Sequence, residues 1–238
     1  MDERFERTRL LVGDEGLERL SRATVVVFGL GGVGSYAAEA IARAGVGHLV
    51  LFDSDCAEIT NVNRQLFALN STIGRPKVEV ARERILDINP AAQVETNQTF
   101  VTPGNVHEFL RNEHAYYIDA IDHLRAKLAV LRLLHQNKAC FVSCMGAASK
   151  VDVSGIRVAD ISLTINCPLA RRIRQRLRKD GITQGIRCVY SETQPLPHTA
   201  PQGDNNAVRG TISYLPGLVG LTAAGVIIND ILAAKAQG

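Results

Sequence analysis

The stretch "VVVFGLGGVGSYAAEAIARAGVGHLVLFDSD", from Val25 to Asp55, constrains the fold more than any other part of the chain. An apolar run of strand length breaks into glycines, resumes as a helix of small residues, and ends on a second apolar run closed by acids. Gly29, Gly31 and Gly34 match G-x-G-x-x-G, with Gly32 as an extra. Glycines so spaced permit a tight turn, bring backbone N–H groups close to phosphate, and aim a helix N-terminus at negative charge. Asp53 follows about 20 residues on, at the end of the next strand, where a carboxylate accepts hydrogen bonds from ribose hydroxyls. The pattern predicts a nucleotide site and leaves open which nucleotide it holds.

Strand and helix periods then alternate along the chain. A short amphipathic helix is expected near Glu15 to Arg22. Further helices are expected in "PKVEVARERILDINP", "GNVHEFLRN" and "HLRAKLAVLRLLHQN", and strands in "QVETNQ", "AYYIDA" and "ACFVSCMGA". Such alternation predicts an α/β fold, Rossmann-like and doubly wound, with a mainly parallel sheet and ligands at the carboxyl ends of its strands. Beyond Lys150 the pattern changes to an antiparallel strand in "KVDVSGIRVADIS", a basic helix and a further strand in "IRCVYSE". The expected organisation is a single unit over residues 1–238, with a nucleotide-binding core at about 5–148 and an antiparallel and helical substrate-binding part at about 150–238. Residues 193–210, rich in Pro, Gly and Asn and including His198, read as a long loop that could cover a substrate.

A chain of 238 residues with 46% hydrophobic and 21% charged residues can bury a substantial core. Its five cysteines, Cys56, Cys140, Cys144, Cys167 and Cys188, include no CxxC pair, and with a charged, polar N-terminus no secretory signal is expected. Reduced thiols and a cytoplasmic location are therefore expected, and structural zinc is not. The net charge of +3 is unevenly spread. Arg171, Arg172, Arg174, Arg176, Arg178 and Lys179 crowd into "RRIRQRLRK", which predicts a positive strip able to meet phosphates, or else a solvated helix face. The uncharged stretch between Arg209 and Asp230 is long enough to cross a membrane. Its Pro216, Gly217, Gly220 and Gly225 favour a helix packed in a core or a dimer seam instead.

Downstream of the glycines lie Asn61 and Arg64 in "NVNRQ", Lys77 at a helix start, and Asp119 and Asp122 at a strand end. Two cations can neutralise a triphosphate and polarise its α-phosphorus, while a carboxylate holds Mg²⁺ against the phosphate oxygens. That is equipment for nucleotidyl transfer. Taken singly, the cations could be surface charges and Asp122 a helix N-cap.

The combination of Gly29-Leu-Gly-Gly-Val-Gly34, Asp53-Ser-Asp55, Asn61-x-x-Arg64-Gln65, Gly74-x-Pro76-Lys77 and Asp119-x-x-Asp122 resembles the ubiquitin-activating-enzyme-like adenylyltransferases. That family includes the activators of molybdopterin synthase and of the thiamine sulfur carrier. The resemblance implies an ATP site built from Gly29, Gly31, Gly32, Gly34, Asp53, Asp55, Asn61, Arg64, Lys77 and Asp122. Asp53 would bind ribose, Asn61, Arg64 and Lys77 the phosphates, and Asp122 the Mg²⁺. It also implies that Arg7, with Arg64, Lys77 and Asp122, serves catalysis, with Arg7 reaching into the other subunit of a homodimer. The sulfur-carrier activators commonly hold zinc with two CxxC pairs, which this chain lacks.

"RRIRQRLRKDGI", "CVYSETQP" and "SYLPGLVGLTAAG" instead resemble a tRNA-modifying branch, also described as a sulfur-acceptor-like partner of a cysteine desulfurase. That branch implies ATP-dependent dehydration of threonylcarbamoyladenosine beside the anticodon, with the basic strip on tRNA. Three rivals stay open at this point. These are an activator of a small sulfur-carrier protein, a scaffold or sulfur-relay adaptor that retains nucleotide binding, and a nicotinamide oxidoreductase. The last leaves Arg64, Lys77 and Asp122 unexplained. Cys188 as a thioester nucleophile is a further possibility, weighed against a small buried hydrophobe.

Overall fold

Val25, Val26 and Val27 are wholly buried, as a parallel strand covered on both faces requires. β1 (Thr24–Phe28) lies between β2 (His48–Phe52) and β4 (Tyr116–Asp119), parallel to both. The computed structural model describes residues 3–111, 114–197 and 210–234; His198 and most of the long loop fall outside them. With β3 (Gln93–Asn97), β5 (Cys140–Cys144), β6 (Ile156–Asp160) and β7 (Arg187–Ser191), the sheet has seven strands in the order β3-β2-β1-β4-β5-β7-β6. All neighbours are parallel except β6 and β7, which pair antiparallel. This is the doubly wound sheet with an antiparallel addition that the alternation predicts.

Strand periodicity sorts the core into two layers. Val25 and Val27 face one layer with α2 (Gly34–Arg43), α3 (Lys77–Ile88) and α6 (Leu215–Ala233). Val26 and Phe28 face the other, with α4 (Leu124–Gln136) and α5 (Pro168–Leu177). In this second layer the Phe28 and Phe52 rings stack at 5.1 Å, and Phe52 meets Phe109 at 4.6 Å. Chain order runs outward from β1 through β2 to β3, then returns across the sheet to β4. The resulting crevice at the carboxyl ends of β1 and β4 is where such folds bind ligands.

Three local expectations change. The first helix, α1, extends over Glu6–Arg22, broken at Gly13 (φ 76°), with Phe5 buried as its anchor and Arg9 paired to Glu6 and Asp14. The segment "GNVHEFLRN" forms only a single 3-10 turn at Val106–Phe109. Asn105 and Thr102 hold each other's backbone there, and the Tyr117 hydroxyl accepts from Arg111 N, keeping the chain from winding on. Of "KVDVSGIRVADIS", only Ile156–Asp160 is strand; before it, Asp152 accepts from Ser154 N and closes a turn.

α6 is long and apolar enough to span a membrane by length and composition. In this fold it is the buried helix that its glycines favour. Leu215, Val219, Ala223, Ala224 and Ile227 are fully buried against α2 and the sheet. A Cβ on Gly220 would stand 2.2 Å from the Val33 carbonyl oxygen, a backbone atom that has nowhere to move, whereas one on Gly225 meets nothing within 4 Å. Gly220→Ala is therefore expected to destabilise the protein by about 1–3 kcal/mol through overpacking. Gly225→Ala should leave it unchanged or raise its stability by about 0.5–1 kcal/mol. Urea unfolding of the pair checks this; equal effects would contradict the close α2–α6 approach.

Candidate nucleotide-binding cleft

The glycine loop is set by two close backbone approaches. Gly29 (φ 86°) lies where an added Cβ would touch Ala120 O at 3.0 Å, so β1 and β4 end almost in contact. A Cβ on Gly34 would stand 1.7 Å from Gly29 O, so only glycine can open α2 at this point. The Asp53 carboxylate ties the loop to β2, accepting from Leu30 N at 2.6 Å and Asp55 N at 2.9 Å. Burial pushes the Asp53 carboxyl above the ordinary carboxylate range, offset in part by Lys77 and these N–H groups.

Lys77 is buried at the start of α3, with Nζ 3.0 Å from Asp55 Oδ2 and 3.9 Å from Asp53 Oδ1. Burial acts upward on Asp55 too, but the hydrogen bond and charge of Lys77 outweigh it and hold that carboxyl below its usual value. The ammonium is thus fixed at the cleft wall by two acids. Asn61 is buried, its Oδ1 accepting from Glu58 N, and closes the turn that presents Arg64. Arg64 Nη1 donates to Thr60 O and Asn63 Oδ1, both at 2.9 Å, and its stem packs over Gly32.

These residues line one cleft of about 780 Å³. Gly29, Gly31, Gly32, Asp53, Asp55, Asn61, Arg64, Lys77 and Asp122 all border it, while Gly34 shapes the wall from behind. Asp122 is exposed in the cleft and is not the cap of α4. His123 takes that place, its Nδ1 accepting from Ala126 N at 3.4 Å, which leaves the Asp122 carboxylate available. Arg7 is exposed on α1 and does not border the cleft of its own chain.

The basic helix divides. Arg172 borders the cleft and also an adjoining groove of about 500 Å³, which Arg171 borders as well. Arg176, Arg178 and Lys179 are exposed. Arg174 turns inward, where it donates to Thr164 O at 2.8 Å, Ile161 O at 3.2 Å and the Thr164 hydroxyl, so its guanidinium is committed within the fold. Cys144 and Cys188 are enclosed, and burial pushes both thiols up, Cys144 to about 12. Cys188 is also wholly buried in β7, so it offers no thiolate to a substrate. No group of three or more metal-ligating side chains occurs among the described residues.

One element at the cleft has only a faint sequence signal. Lys127 and Asp119 form a fully buried ion pair at 2.8 Å, in which Asp119 also accepts from Ser143 Oγ and Lys127 donates to Ile121 O at 3.0 Å. The pair props the loop from Asp119 to Asp122 beneath the cleft. The signal is a lysine at helical spacing within the apolar face formed by Val130, Leu131 and Leu134. Lys127→Met is expected to cost about 3–5 kcal/mol, because it strands a buried carboxylate. Denaturant unfolding measures it; a loss below about 1 kcal/mol would mean that the pair does not carry the loop.

Fold and site together define an α/β nucleotide-binding protein whose cleft is matched to a phosphate-rich ligand. The chain belongs to the ThiF family, which it matches over residues 5–237. It is 39% identical over 239 residues to the tRNA threonylcarbamoyladenosine dehydratase of Bacillus subtilis, covering 96% of this chain and 94% of that protein. It is 40% identical over 216 residues to the Escherichia coli protein of the same name, covering 88% and 80%. The crystal structure of the Escherichia coli tRNA N6-threonylcarbamoyladenosine dehydratase in complex with ATP superposes with a TM-score of 0.91 at 36% identity. That match covers 99% of this chain and 97% of the other.

Proposed function

We propose that this protein is an ATP-dependent tRNA-modifying enzyme that dehydrates threonylcarbamoyladenosine beside the anticodon. The observation that carries the reading is a single cleft bordered by two kinds of residue. Arg64 and Lys77 border it, and so do the small and apolar Met145, Ala147, Pro168 and Leu169. The similarity to the Bacillus subtilis dehydratase supports it over 96% of this chain. The Escherichia coli relative's complex with ATP and this chain's glycine loop support ATP as the nucleotide.

The chemistry follows from the residues. A threonyl carboxylate is a poor acylating group until one of its oxygens is made a good leaving group. That oxygen attacks the α-phosphorus of ATP, and pyrophosphate departs with the electron pair of the broken P–O bond. A heteroatom of the carbamoyl group then attacks the acyl carbon and loses its proton, and AMP leaves with the former carboxylate oxygen. The substrate has lost the elements of water, split between AMP and solvent. Because the second attack lies within one side chain, proximity favours it and no enzyme nucleophile is needed. Arg64 and Lys77 stabilise charge growing on the phosphates.

The donor set fits Mg²⁺, which retains waters and takes one or two carboxylates together with substrate phosphates; Asp122 would hold it and Asp119, committed to Lys127, would not. When bound, the ion supplies neutralisation of phosphate charge. Arg7 acts across a homodimer in this reading. Leu10 and Leu11, which follow it on α1, are 74% and 85% exposed, an apolar surface suited to a second copy. The exposed Arg171, Arg176, Arg178 and Lys179 hold tRNA backbone without reading sequence, and the enzyme works in the cytoplasm. Residues 5–148 carry the nucleotide chemistry and 150–238 the substrate side of one unit.

Mass spectrometry of nucleosides from threonylcarbamoylated tRNA incubated with the protein, ATP and Mg²⁺ tests the reading. Loss of one water only when ATP is present is the expected result; no loss from folded, ATP-competent protein would favour activation of a carrier protein. Arg64→Ala should lower the rate about 100-fold with little change in thermal midpoint. Mixing Arg7→Ala with Asp122→Ala subunits should restore partial activity, and failure to do so would place Arg7 outside the partner's cleft.

A further inference from the structure

Arg172 stands apart from the other cations of the basic helix, because it borders the nucleotide cleft and the adjoining groove at once. Its guanidinium makes no hydrogen bond or ion pair among the described residues, whereas Arg174, two residues further on, is committed to Thr164 and Ile161. Arg172 is exposed on α5, and the cleft it borders is also bordered by Met145, Ala147, Pro168 and Leu169. An uncommitted arginine fork of this kind binds a carboxylate in bidentate fashion.

The seat of Arg172 is rigid. Ala170, Ile173 and Leu177 root α5 in the core. Just ahead of the helix, buried Lys150 donates to Asn166 O at 3.0 Å and to Ser191 O at 2.6 Å. Asn166 holds a positive φ of 51°, with its side chain bonded to Glu192 O and to Gln194 Nε2. The start of α5 is thus tied to the end of β7. Arg172 is the helix's one cation facing the cleft from this fixed base.

We propose that Arg172 holds the carboxylate of the incoming substrate side chain, on the α5 wall of the cleft that Arg64 and Lys77 also border. This rests on the function proposed above and assigns its acceptor subsite. The electrostatic reason is direct. A carboxylate must approach a triphosphate, and two anions repel strongly in a partly enclosed site. Arg64 and Lys77 serve the phosphates, so the approaching carboxylate needs a cation of its own. Arg172 supplies it where the adjoining groove meets the cleft.

The test compares two tRNAs, one threonylcarbamoylated and one lacking that group, on the wild-type protein and on Arg172→Gln. Arg172→Gln should lower kcat/KM for dehydration about 30- to 100-fold, the loss of one charged hydrogen-bonded pair. Its affinity for ATP, and for tRNA without the carboxylate, should stay within about twofold of wild type, a split that a merely structural role would not give. Arg172→Lys should recover part of the rate by restoring the charge without the fork. Arg176→Gln should show the other pattern, weakening both tRNAs alike. If Arg172→Gln weakens both tRNAs equally, or leaves dehydration unchanged, the carboxylate assignment is overturned. If the wild-type protein itself removes no water in the presence of ATP, the proposed function falls and this subsite falls with it.

Discussion

The cleft depends on the approach of two backbones. Because an added Cβ at Gly34 would sit 1.7 Å from the Gly29 carbonyl, the first residue of α2 is pressed against the loop that leaves β1. That contact turns the α2 N-terminus toward the carboxyl edge of the sheet, where its unpaired N–H groups and its dipole favour phosphate. α2 is held from its other side by α6, where a Cβ on Gly220 would stand 2.2 Å from the Val33 carbonyl oxygen. The long apolar C-terminal helix is therefore part of how the nucleotide loop keeps its shape, although it supplies few atoms to the cleft.

Charge is distributed on the same scaffold so that each group has a separate task. Asp53 is largely spent on the glycine loop itself, through Leu30 and Asp55 N–H groups, and burial keeps its carboxyl harder to ionise than Asp55. Lys77 is fixed between these acids. Asp119 is neutralised by Lys127 beneath the cleft, which leaves Asp122 as the accessible carboxylate on that loop. Such buried pairs contribute less to net stability than to fixing one geometry, and here the geometry fixed is that of the Asp119 to Asp122 turn.

Much of this was legible in the sequence, and the exceptions have physical causes. Parallel strands buried on both faces leave continuous apolar runs, and a glycine required by a 1.7 Å approach cannot be replaced, so β1, the loop and α2 were unambiguous. Asp122 was less so, because a carboxylate before a helix reads equally well as an N-cap; the structure gives the cap to His123. Arg174 looks like its neighbours in a run of arginines, and only the packing of Ile161 and Thr164 against α5 turns it inward. The "GNVHEFLRN" segment has helical composition but is stopped by a side-chain hydrogen bond from outside it, through Tyr117. Long-range contacts of this kind leave no local periodicity.

The central claim is that the substrate carboxylate is activated on the α-phosphorus of ATP. Threonylcarbamoylated tRNA labelled with heavy oxygen in that carboxylate tests it most directly, with mass analysis of the nucleotide and phosphate products. Attack on the α-phosphorus leaves one labelled oxygen in AMP and none in pyrophosphate. Label in phosphate or pyrophosphate, or AMP formed without label while water is lost, would contradict it.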